Sequence, residues 1–97
     1  MSERLFELGR VVVTPGALEA IAEAGDDLAT FLDRHGAGDS GDLDPEDKAE
    51  NDLIIGLYSL PRLLRLFSAY KLSDGRKIWV ITEADRSATT LLLPEEY

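Results

Sequence analysis

The sequence predicts an α+β fold: three short helices followed by an antiparallel three-stranded meander, joined by an N-terminal strand. Three observations carry that prediction. Thr14-Pro15 and Asp44-Pro45 each place a capping side chain before a proline, a local signal for a helix start. The run Ala88 to Leu93 and the two runs before it change to strand-like composition. Ser73-Asp74-Gly75-Arg76 separates the first two of those runs and suits a type I′ hairpin turn.

Taken in order, Phe6 to Val13 ends in three consecutive valines and reads as the first strand. Thr14 stops it and caps a first helix whose buried stripe is expected at Leu18, Ile21 and Ala22. Gly25 supplies a left-handed C-terminal cap, and Asp26 or Asp27 caps a second helix bearing Leu28, Phe31 and Leu32 at helical spacing. Gly36 ends that helix, and a Gly/Asp-rich loop leads to a third helix with Ala49, Leu53, Ile54 and Leu57 on its core side. Leu66 to Leu72 and Lys77 to Thr82 form the hairpin. A turn near Ala84 to Arg86 leads to the last strand, which Pro94 ends.

A chain of 97 residues suffices for one hydrophobic core, so residues 1–97 are read as a single small α+β domain with its ordered core over about 5–93. There is no cysteine, which excludes disulfides, thiolate nucleophiles and sulfur-ligated zinc, and fits a cytoplasmic protein. Charges in Met1 to Arg10 interrupt the apolar core that a signal peptide needs, and no apolar run reaches the length of a membrane span. Ten basic against nineteen acidic residues give a net charge of −9, which disfavours direct nucleic-acid binding and anionic lipid.

The chemistry-bearing residues are few. Gly38-Asp39-Ser40-Gly41 resembles the loop around a serine-protease nucleophile, but the two-barrel context and the distant histidine and aspartate are missing. His35, the only histidine, is expected to sit at a helix C-terminus and cap a carbonyl. Seven carboxylates fall between Asp39 and Asp52, yet no calcium-loop register fits them: from Asp42 the glycine position is Asp47 and the final glutamate position is Leu53. No metal and no cofactor is therefore expected. Phe67, Tyr70 and Trp79 are expected in core or cross-strand packing.

The segments Gly9 to Leu18, Gly38 to Leu43 and above all Asp74 to Tyr97 resemble a family of small bacterial proteins often labelled plasmid-related. The resemblance implies bacterial origin and carriage on mobile elements; it implies no reaction. With no catalytic set in view, the expected function is a non-enzymatic protein-interaction module whose acids Asp39, Asp42, Asp44, Glu46, Asp47 and Glu50 face an unidentified protein partner. They would act as a DNA mimic towards a DNA-processing or defence protein. The alternative is a small ligand-binding protein or enzyme using Glu83, Asp85 and Arg86, with His35 as a base. The apolar surplus from Leu53 to Phe67 is a candidate for self-association.

Overall fold

The computed structural model describes residues 5–42 and 65–97. Within them the chain forms β1 (Arg10–Val13), α1 (Pro15–Ala24), α2 (Leu28–Gly36), β2 (Leu66–Lys71), β3 (Lys77–Thr82) and β4 (Ala88–Leu92), then a 3-10 turn over Pro94–Glu96. This is an α+β arrangement. Its sheet is four-stranded and mixed, in the order β1-β4-β3-β2, which corrects the expected three-stranded antiparallel meander; the N-terminal strand expected to join it takes the edge beside β4. β3 pairs antiparallel with both β2 and β4, while β1 enters beside β4 in parallel, Arg10 opposite Ala88 and Val13 opposite Leu91. The described residues hold two α-helices, not three; the expected helix after Asp44 lies outside them.

The helix caps follow the local sequence. Thr14 Oγ1 accepts from Ala17 N at 3.2 Å, Pro15 occupies the first turn, and Gly25 closes α1 at φ 74°. Asp27 caps α2 by accepting from Ala29 N at 3.0 Å. The buried stripe of α1 differs from the expected one. Ala17, Ala20 and Ile21 face the sheet, whereas Leu18 is 55% exposed and Ala22 is exposed. Small side chains let α1 approach the sheet closely, so the alanines take the inner face.

Strand alternation separates two faces. On the helix side, Tyr70, Ile78, Val80 and Leu91 form a core with Ala17, Ala20, Ile21 and Phe31, and the Phe31 and Tyr70 rings stack at 5.6 Å. A second cluster gathers Phe6, Leu8 and Leu66. Phe6 and Leu8 reach it because β1 starts at Arg10 rather than Phe6: Gly9 adopts φ 65°, which breaks the strand and turns the preceding residues inward. On the opposite face Trp79 meets Phe67 and Tyr97 edge-on, at 5.0 and 5.7 Å between centroids.

The β2–β3 connection is not a type I′ turn. Asp74 keeps a negative φ and Gly75 alone is left-handed, at φ 94°, with Gly75 N donating to Leu72 O at 2.9 Å and Leu72 N to Arg76 O at 2.7 Å. This is the geometry of a type I turn followed by a glycine bulge. Asp26, at the α1–α2 junction, accepts from Ser73 N at 2.8 Å and from the Ser73 hydroxyl, tying the turn to the helices.

A Cβ at Gly75 would meet nothing, so conformation is its whole constraint. Gly75→Val should cost about 1–3 kcal/mol of stability, the strain of a β-branched residue at positive φ. Thermal or urea unfolding at wild-type stability would refute the bulge.

Candidate functional site

The densest polar cluster lies between the two apolar ones. Thr82 and Thr89 face each other across β3 and β4, Ser68 is on β2, and α2 lowers His35 onto the row. His35 Nδ1 is 2.6 Å from Ser68 Oγ and Nε2 is 2.8 Å from Thr82 Oγ1. Thr82 Oγ1 is 2.7 Å from Thr89 Oγ1, and the Thr89 hydroxyl donates to the Leu8 carbonyl at 2.7 Å. All four side-chain partners are buried.

The direction of every proton in this chain follows from its last member. A carbonyl only accepts, so Thr89 spends its hydrogen on Leu8 and accepts from Thr82. Thr82 then accepts from His35 Nε2–H, and Nδ1 is left as acceptor for the Ser68 hydroxyl. His35 is thus the neutral Nε2–H tautomer. Burial, with a smaller push from the positive charge of Arg86, holds its pKa down at about 4. The expectation that His35 caps a helix carbonyl is corrected: both ring nitrogens bind hydroxyls, and the Phe6 ring packs edge-on at 5.2 Å. With no outward nitrogen and a depressed pKa, the imidazole holds strands together instead of presenting a base to a substrate.

The turn residues of the alternative site meet different fates. Arg86 is buried at a positive φ of 60°, the one non-glycine among the described residues to adopt it. Its Nη1 donates to the carbonyls of Glu83 and Ala84 at 2.9 and 3.0 Å, and the guanidinium carbon lies 6.0 Å from the Phe6 ring centre. Asp85 faces solvent and accepts from Ser87 N at 3.0 Å; the Ser87 hydroxyl, and after it this backbone bond, lowers its pKa. The structure therefore brings His35 and Arg86 together but leaves Asp85 outside, and the two bonds from Arg86 Nη1 close its own turn. The same left-handed step that Gly75 supplies in the first hairpin is here supplied by an arginine whose side chain folds back over the turn.

The start of the acidic stretch is anchored. Ala69 N donates to Ser40 O at 3.1 Å and Asp42 N to Ala69 O at 2.7 Å, so residues 40–42 run along the outer edge of β2. Gly41 is required there, because it sits at φ 68° and a Cβ would collide with the Ala69 carbonyl. Asp39 accepts from Arg34 Nε at 2.7 Å and from Gly41 N at 3.0 Å, while its carbonyl receives the Tyr70 hydroxyl at 2.5 Å. Arg34 lies over the Tyr70 ring, 4.4 Å from its centre, and burial raises the Tyr70 phenol to about 12. Asp39 is occupied by the fold, whereas Asp42 is exposed; Asp44, Glu46, Asp47 and Glu50 lie outside the described residues.

Ser40, the serine of the protease-like tetrapeptide, is buried, and the serine bound to His35 is Ser68. Among the described residues no three histidine or acidic side chains gather as a metal site. No described helix is long and apolar enough to cross a membrane. The polar chain was missed in the sequence, although Ser68, Thr82 and Thr89 do leave a signal as hydroxyls on the inward face of otherwise apolar strands. Compared with protein-family models, curated proteins and solved structures, the chain finds no match.

Two measurements test this geometry. His35 binds a proton less readily folded, at about 4, than unfolded, at about 6.5, so its contribution to stability is complete above pH 6.5 and is lost as pH falls towards 4. Replacing it by His35→Gln should remove roughly 3 kcal/mol of pH dependence across that window. Parallel stability curves for the two proteins would show that the imidazole is not buried neutral. At the turn, Arg86→Ala loses the carbonyl bonds and keeps the left-handed backbone, while Arg86→Gly loses the bonds and relieves it. Both should destabilise, the alanine variant by about 1 kcal/mol more.

Proposed function

We propose that this chain is a non-enzymatic, cytoplasmic protein-binding module of bacterial mobile DNA, presenting Asp42, Asp44, Glu46, Asp47 and Glu50 to a basic protein surface as a mimic of nucleic-acid phosphates. The observation that carries this reading is the anchorage of the start of the acidic stretch, residues 39–42, on the edge of β2, through the two bonds to Ala69 and the Arg34–Asp39 pair. An anchored segment loses less freedom on binding than a free one. Seven carboxylates between Asp39 and Asp52 place one charge on every second residue, which at a helical rise of ~1.5 Å would be about one per 3 Å, roughly half the density of duplex DNA at one per ~1.7 Å of axis. The net charge of −9 supports attraction to a basic partner and opposes binding to DNA itself.

The test neutralises acids from Asp42 onward while sparing Asp39, which the anchor uses. A variant carrying Asp42→Asn, Asp44→Asn, Glu46→Gln and Asp47→Asn should fold as the wild type does. Wild-type protein should retain a partner from a bacterial extract that is released by rising salt and displaced by added duplex DNA, and the amide variant should retain none. Equal retention by both proteins, indifferent to salt, would overturn the reading.

A further inference from the structure

The outer edge of β1 is built to pair. Arg10 N and Thr14 N donate to Ser87 O and Leu91 O of the β4 side, and the parallel register places Val12 opposite Thr90. Even-numbered residues of β1 therefore turn their backbone groups towards β4. The N–H and C=O of Val11 and Val13 point away from the sheet, where no described strand lies. Val11 and Val12 are 41% and 36% exposed, and with Leu18 they supply three of the five exposed large apolar residues of the described chain. An open edge of β-branched residues is a template for another strand.

We propose that two copies of this chain associate through β1, antiparallel and about a two-fold axis at Val12, to form a continuous eight-stranded sheet. The backbone selects this register. Centring the axis on Val11 would pair Val13 with Gly9, whose φ of 65° breaks the ladder; centring it on Val13 would pair Val11 with Pro15, which has no N–H. With the axis at Val12, Val11 and Val13 of each copy bond reciprocally to Val13 and Val11 of the other, so both outward residues of both strands are satisfied.

Charge supports the same register. It sets Arg10 opposite Thr14 of the second copy. The Thr14 hydroxyl donates to Glu96 Oε1 at 2.6 Å, and the Glu96 carboxylate is exposed. Arg10 is exposed and forms no ion pair with a described residue. Each arginine thus meets the Glu96 of the other copy, twice by symmetry, which offsets locally the repulsion between two chains of charge −9.

Because the chain has no cysteine, Val12→Cys places a single thiol per chain on the axis. Opposed residues in a non-hydrogen-bonded antiparallel pair lie about 4.5 Å apart at Cα, within disulfide range. Mild oxidation should join Val12→Cys into a covalent dimer, and Val11→Cys, which faces Val13, should cross-link at least tenfold more slowly. Sedimentation of the wild type should show a concentration-dependent species of twice the 10.7 kDa chain mass. Val11→Pro removes an outward donor without touching the β4 ladder and should sediment as a monomer. Arg10→Glu should weaken the dimer about three- to tenfold, the scale of two exposed ion pairs. A wild type that stays monomeric at high concentration, or equal cross-linking at positions 11 and 12, would overturn the proposal.

Discussion

A neutral imidazole buried away from water needs one acceptor and one donor, and His35 finds them on two different strands. Ser68 of β2 and Thr82 of β3 hold α2 at one rotation and one height above the sheet, and the bond from Thr82 to Thr89 carries the constraint on to β4 and the Leu8 carbonyl. A one-residue slip in either pairing would turn a hydroxyl to the opposite face and strand a polar group in the core. Apolar packing alone would tolerate several arrangements of Ile78, Val80 and Leu91; the polar chain singles out one.

Around that buried chain the fold is tied by contacts near its rim. Asp26 holds Ser73, Arg76 reaches Asp74, Glu23 and the Ala20 carbonyl, and Glu96 accepts from Thr14 and from Leu93 N. Each exposed pair contributes little by itself. Their common effect is positional, because Asp26, Arg76 and Glu96 each make at least one bond that joins a loop or terminus to a distant element. They also occupy the Arg76 guanidinium, whereas among the described residues acids such as Glu19 and Asp42 stay exposed.

What the sequence made legible was mostly local. Thr14-Pro15, Asp27 and Gly25 are capping chemistry confined to a few residues, and the strand runs of the C-terminal third coincide closely with β2, β3 and β4. The stripe of α1 was misread because Leu18 and Ala17 head equally good helical patterns, and only the close approach of helix to sheet decides between them. Asp74-Gly75 announced a turn but not its type, since one left-handed residue or two fit the same pair. The parallel entry of β1 beside β4, the left-handed Arg86 and the hydroxyl partners of His35 all depend on residues far apart in the chain. No local window contains them.

Parallel pairing of the first strand with the last also orders events in time. Arg10 to Val13 lack their β4 partner until Ala88 to Leu92 have been made, so a nascent chain carries a valine triplet without that partner while more than seventy further residues are added. The β2–β3 hairpin closes over a short loop, but β1 closes over nearly the whole length of the domain, a contact of high sequence separation that slows folding. During that interval the same backbone edge is open to any other strand it meets, so the stretch most exposed to misassembly is also the one whose docking completes the sheet.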